Sequence, residues 1–220
     1  RRVFVHGLLD GRDVPDHSAE EYIARVESIL RDVQTTYGGV FQIASGGGRM
    51  TTTMDRYDAN WSVVERGWRA HVLGEGRRFP SALEALEVLR SETPGISDQQ
   101  LSEFVVEADG QPIGSIGDGD AVVVFNFRGD RVAQICRAFV EGDTFDAFDR
   151  VRLPTVTFAG MVQYDGDVDL PPRYLVSPET VGGTISEYLA ANKIAQFACA
   201  ETQKYGHVTY FWNGNRSGKF

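Results

Sequence analysis

Short apolar runs suited to buried strands alternate with amphipathic helical patterns along most of this chain, and that alternation limits its possible folds more than any other feature. Residues 3–9 (VFVHGLL) read as a strand that empties into the polar loop DGRDVPDHS. A helix follows: Ser18, Glu20 and Glu21 mark its start, and Tyr22, Ile23, Val26, Ile29 and Leu30 recur at helical spacing. GGVFQIASGGGRM predicts a second strand running into a glycine loop. Trp61, Val64, Trp68 and Val72 then space out a further helix, and SALEALEVLRSE another. SDQQLSEFVV, PIGSI, GDGDAVVVFNF and LPTVTFAGMVQY supply more strands, with DRVAQICRAFV helical between the last two. Parallel strands need long crossovers, and helices are the usual ones. The expected fold class is therefore α/β, a mainly parallel sheet flanked by helices.

Residues 165–180 are rich in Asp and Pro and lack a period, so they read as a linker, with a domain boundary near residue 176. Beyond it, TISEYLAANK predicts a helix, IAQFACA a strand-like run, and ETQKYGHVTYFWNG an ordered end. The chain opens directly on a strand and reads as an excerpt from a longer protein.

Composition narrows the function. Of 220 residues, 42% are apolar and 24% charged, enough apolar surface for a core and too much for disorder. A net charge of −9 argues against nucleic-acid or anionic-membrane binding, so an anionic ligand would have to meet a local basic cluster. Two cysteines, Cys136 and Cys199, make no disulfide framework and suit a reducing compartment. No run reaches the length of a membrane span, and cytoplasmic residence is the expectation.

Four stretches carry chemistry. Asp10, Gly11, Arg12 and Asp13 stand at the end of a strand, where a guanidinium fork grips phosphate or carboxylate and a neighbouring Asp can exchange a proton; a turn closed by a surface ion pair is the alternative. Gly46, Gly47 and Gly48 permit close approach of a ligand ahead of Arg49 and Arg56, yet neither Walker A nor GxGxxG is present, and a plain flexible turn fits equally. In FNFRGDR a strand runs straight into Arg128 and Arg131, three apart and on one side of a helix's first turn, where anions are favoured. Lys204 offers a mobile point charge, while His207 suits a packing role. His6, His17 and His71 are scattered, no HExxH or CxxC spacing exists, and no GxSxG marks a nucleophile. Anion-binding groups thus outnumber nucleophiles heavily.

Together VHGLLDGRDVPDHS, ASGGGRMTTTMDRYDANWSVVERGW, VVVFNFRGDRVAQI and AETQKYGHVTYFWNGNRSG resemble the cofactor-independent (2,3-bisphosphoglycerate-independent) phosphoglycerate mutases of the alkaline-phosphatase superfamily. The resemblance implies an inserted transferase domain over residues 1–176 and, over 177–220, the start of a return into a phosphatase-like α/β domain. It implies interconversion of 3-phosphoglycerate and 2-phosphoglycerate through a phosphoserine intermediate, in glycolysis and gluconeogenesis, by a cytoplasmic monomer. By motif, Arg12 and Asp13 correspond to the pair on the glycerate, with Asp13 the proposed acid/base. Arg49 and Arg56 match two substrate arginines, in a loop one residue longer than the GRYYAMDR-like form of many members. Arg128 and Arg131 match the pair on the phosphate, and Lys204 a lysine lent by the phosphatase domain. The serine nucleophile, a GGVHSH-like segment and the ligands of two Mn2+ or Mg2+ ions would lie outside this chain, which alone should be inactive. A phosphate-ligand binding module without catalysis and a metal-dependent phosphohydrolase of the same superfamily are the competing readings.

Overall fold

The computed structural model describes residues 1–56, 59–177, 179 and 181–218. Packing divides the chain into two compact units that interleave in sequence. The first holds Arg1–Met54, Trp61–Asp120 and Asp146–Val156, and the second Asp55–Asn60, Ala121–Phe145 and Thr157–Phe220. The second unit thus runs through residue 176 without a break. Among the described residues no helix is long and apolar enough to cross a membrane.

In the first unit, β1 (Arg2–Leu9) pairs in parallel with β2 (Val40–Gly48), which pairs antiparallel with β4 (Phe104–Ala108); β3 (Arg77–Phe79) lies parallel to β4, and β5 (Gln111–Pro112) closes an antiparallel hairpin on it. The order is β1-β2-β4-β3. Two helices, α1 (Ala19–Tyr37) and α3 (Ala82–Glu92), cover the sheet because their apolar stripes have no other place to be buried. Ile23 of the first and Ala85, Leu86 and Leu89 of the second pack with Leu9, Ile43, Leu101, Phe104 and Val106. Each large apolar side chain fully buried here contributes roughly 1.5–3 kcal/mol. A third helix, α2 (Trp61–Trp68), continues into a π-helical turn, Arg69–Leu73. Its Trp68 is wholly buried and donates from Nε1 to the Arg150 carbonyl at 2.9 Å.

In the second unit β6 (Ala121–Val124), β7 (Thr157–Val162) and β8 (Tyr174–Val176) form an all-parallel sheet. Helix α4 (Ala133–Val140) packs on it through Phe139, whose ring stacks on Phe158 at 4.9 Å. Helix α5 (Ile185–Ala191) begins in a capping box, with Thr184 and Glu187 satisfying each other's backbone N–H groups. The α/β class and the mainly parallel pairing agree with the sequence pattern.

Several local expectations change. Gly46, Gly47 and Gly48 belong to β2 instead of forming a loop after it. Residues 98–100 form a 3-10 turn, and the strand begins only at Phe104. β8 lies inside the stretch expected to be a linker, where Pro171 and Pro172 hide a run of three strand residues. The strand-like run 194–200 forms no strand. Pro178 and Thr180 of that linker, and Tyr57 and Asp58 of the arginine loop, lie outside the described residues.

Candidate functional site

The loop after β1 is built around Asp10. Its Oδ2 accepts the Asp13 N–H at 3.0 Å and its Oδ1 accepts Arg49 Nη1 at 2.9 Å, so one carboxylate ties the Arg12–Asp13 turn to the residue that leaves β2. Gly11 sits at φ 74°, and a Cβ there would stand 2.7 Å from Asp16 Oδ1, so glycine is required twice over. Arg12 and Asp13 are exposed at the tip.

The far side of this loop is anchored on a buried carboxylate. Asp98, 1% exposed, accepts the Ala19 N–H at 3.0 Å and pairs with Arg90, which also reaches Glu20. It therefore caps α1, a role that Ser18 does not take, since its hydroxyl donates to the Pro15 carbonyl. Asp16 in turn accepts the Asp98 N–H at 2.8 Å and the Ser97 hydroxyl at 3.0 Å. The first of these bonds, more than the second, holds the Asp16 carboxyl below the usual carboxylate range.

Arg49 takes its place from the strand before it. A Cβ on Gly47 would meet Thr52 and the Glu103 backbone, and one on Gly48 would overlap the Gln99 carbonyl. The glycines therefore let β2 run against the residue 98–103 segment, and the Met50 N–H donates to Gln99 O at 2.9 Å. Close approach of backbone to backbone, instead of backbone to ligand, accounts for the triplet.

In the second unit a smaller cluster forms around Asp55. Its carboxylate accepts the Arg56 N–H at 2.9 Å and the Asn60 N–H at 2.7 Å, and Arg131 Nη1 stands 3.9 Å from it. Gln134 donates from Nε2 to the Arg56 carbonyl at 2.9 Å. Arg56 Nε is buried and has no hydrogen-bond partner among the described residues, a donor that an anionic ligand would satisfy. Arg128 is exposed, with its guanidinium 5.5 Å from the Phe127 ring centroid. Both arginines precede α4 instead of lying in its first turn, because the helix begins at Ala133. Tyr164 fixes the loop that carries them. Its hydroxyl donates to the Asn126 and Val124 carbonyls, Asn126 Nδ2 donates to the Arg128 carbonyl at 2.7 Å, and burial pushes the phenol up to about 12. Lys204 closes an exposed 3-10 turn, Thr202–Lys204.

The structure thus brings Asp10, Asp13 and Arg49 together in one unit and Arg56 and Arg131 in the other. Asp98 and Tyr164, which set these loops, were not legible as site residues, and Asp10 was legible only as part of the turn at the strand's end. Among the described residues no group of three or more His, Cys, Asp or Glu side chains gathers into a metal site.

Residues 1–166 match the family model described as BPG-independent PGAM N-terminus (iPGM_N). The chain belongs to the BPG-independent phosphoglycerate mutase family. It is 57% identical over 221 residues to the 2,3-bisphosphoglycerate-independent phosphoglycerate mutase of Trypanosoma brucei brucei, covering 100% of this chain and 40% of that protein. Phosphoglycerate mutase 1 of that kind from Arabidopsis thaliana is 53% identical over 223 residues, covering 100% of this chain and 39% of the relative. A crystal structure of Leishmania mexicana phosphoglycerate mutase at low cobalt concentration superposes with a TM-score of 0.92 at 53% identity, over 99% of this chain and 40% of that one. The chain therefore spans about two-fifths of the length of these mutases.

Proposed function

We propose that this chain is the substrate-holding part of a phosphoglycerate mutase that interconverts 3-phosphoglycerate and 2-phosphoglycerate through a phosphoserine intermediate. The observation that carries the reading is the 57% identity, over the whole chain, to a protein named as such a mutase. Residues 1–176 would hold the glycerate and 177–220 begin the return into a phosphatase-like domain. The serine and the binding sites of two Mn2+ or Mg2+ ions belong, on this reading, to the remaining length of the relatives. Bound, those ions would neutralise phosphoryl charge. The working state is a cytoplasmic monomer.

Phosphoglycerate carries about three negative charges near neutral pH, since the second phosphate pKa is about 6. Arg12 and Asp13 hold the glycerate, Arg128 and Arg131 take the phosphate, and Lys204, Arg49 and Arg56 complete the positive charge. In a water-excluded cleft such fixed charges act far more strongly than in solution. When the phosphoryl group moves to the serine alkoxide, the O–P bond to the glycerate breaks and Asp13, entering in its acid form, protonates the departing alkoxide. On return it takes the proton from the other hydroxyl as the new O–P bond forms. Holding the glycerate between the two steps keeps the reaction intramolecular.

Full-length protein with Mn2+ should interconvert the two isomers. Arg128→Ala and Asp13→Ala should each lower kcat/KM by about 100-fold or more. Full activity in both variants, or release of inorganic phosphate in place of the isomer, would overturn the reading.

A further inference from the structure

Apart from these loops, the first unit holds a run of four hydrogen-bonding side chains drawn from four places in the chain. His6 Nδ1 lies 2.6 Å from Ser45 Oγ, the same Oγ lies 2.7 Å from His71 Nδ1, and His71 Nε2 lies 2.7 Å from Thr53 Oγ1. A bulge in β2 allows this meeting. Val5 pairs with Ile43 and His6 with Ser45, so Ala44 is the extra residue. Val5 and Ile43 pack into the cluster with α1 and α3, while His6 and Ser45 meet His71 instead.

The three bonds close with both imidazoles neutral. Protons can run from His6 through Ser45 and His71 to Thr53, or in the reverse sense, with one hydrogen per link. Burial lowers the His6 pKa to about 4 and holds His71 well below its ordinary value, and the two rings, 4.9 Å apart, would repel each other if both were charged.

The run ends on a strained residue. Thr53 is β-branched and sits at φ 72°, a left-handed conformation that such side chains avoid. Strain of this kind persists only where the surroundings over-determine it. Here three contacts do so. The Thr53 N–H donates to the Val63 carbonyl at 2.8 Å, His71 bonds the hydroxyl, and Gly67 of α2 lies so close that any Cβ on it would overlap the Thr53 backbone. His71 itself stands in the π-helical turn, a departure from α-geometry that recurs at functional sites. In the chain, Thr53 falls between Arg49 and Arg56, so its backbone state sets the course of the segment that joins them.

We propose that His71 is a positioning residue for substrate binding, which acts through Thr53 to hold the Arg49–Arg56 segment in the course that binding requires. This rests on the mutase reading above. Glycine adopts a positive φ without help, so the dependence on His71 should vanish when residue 53 is glycine.

The test uses full-length protein and 3-phosphoglycerate. His71→Asn keeps an amide facing Ser45 but falls short of Thr53, and should raise KM roughly tenfold with kcat within about twofold. His71→Gln, whose amide reaches further, should recover most of the loss. In the Thr53→Gly background, His71→Asn should change KM by less than about twofold. An equal rise in both backgrounds, or no rise in either, overturns the proposal. If His71→Asn does not fold, Thr53→Val decides alone, since it keeps the shape and removes the hydroxyl: a tenfold rise supports the proposal and an unchanged KM overturns it. Tryptic cleavage after Arg49 and Arg56 reads the same segment without turnover, and should quicken severalfold in His71→Asn or Thr53→Val. A wild-type protein without mutase activity would sink the functional reading, and unchanged cleavage would then sink this inference separately.

Discussion

Arg49 Nη1 donates to Asp10 Oδ1 at 2.9 Å, so the arginine that follows β2 is held by the residue that follows β1. The same Asp10 closes the Arg12–Asp13 turn through its other oxygen. Two parallel strands thus end in loops that share one carboxylate.

Asp10→Asn should therefore disturb binding more than folding. The pair is partly solvated, with side chains 16% and 32% exposed, and such pairs contribute at most about 1 kcal/mol to stability. In the full-length protein KM for phosphoglycerate should rise about fivefold, the equivalent of about 1 kcal/mol. Thermal unfolding should shift little. Steady-state kinetics beside a melting curve checks both.

Asp98→Ala should act the other way, on stability first. It strips the cap from α1 and leaves the Arg90 guanidinium, 19% exposed, without its buried partner. Breaking one side of a buried pair costs about 3–5 kcal/mol, which urea denaturation would register as a lowered midpoint. Asp98→Asn, which keeps an acceptor for the Ala19 N–H, should lose less.

Gly48→Ala tests the glycine rail of β2. The new methyl would meet Gln99 backbone atoms that cannot rotate away, and overpacking of this kind costs roughly 1–3 kcal/mol. Gly46→Ala should cost about as much, because its methyl would stand 2.9 Å from the Gly7 carbonyl and press on the Phe104 ring, which is itself wholly buried. Denaturation of the two variants side by side checks this.

The two histidines predict a pH dependence. His6, buried, has a pKa lowered from 6.5 to about 4, and His71 is lowered too. The unfolded chain therefore binds more protons than the folded one below about pH 6.5. The stability they contribute is fully present above that pH and is lost as pH falls towards about 4. Each extra proton bound on unfolding adds a slope of at most about 1.4 kcal/mol per pH unit. Denaturation midpoints from pH 7.5 to 4.5 would show it, and His6→Gln should flatten the curve.

The helices and most strands were legible because their apolar residues recur at 3.6 or 2 positions, as Tyr22, Ile23, Val26, Ile29 and Leu30 do in α1. The arginines were legible as an excess of anion-binding groups after strands, and the family motifs gave them roles. What escaped notice depends on contacts distant in sequence. Asp98 caps a helix 79 residues away, and the Gly46, Gly47 and Gly48 run reads as a turn until the backbone of residues 98–103 is brought against it. β8 was missed because three residues between prolines carry no measurable period. His71 gave no signal, since its partners Ser45 and Thr53 stand 26 and 18 residues away.

The interleaving of the two units bears on how such a chain can be made. A chain emerging N-terminus first has synthesised nearly all of the first unit by Asp120, yet the unit stays open until Asp146–Val156 arrives. Only then do the Arg150 carbonyl meet Trp68 and Arg152 bond the Val72 and Ile116 carbonyls, the latter at 2.7 Å. For those 25 intervening residues a large apolar indole waits without its lid. During synthesis the first unit can close only once Val156 has emerged.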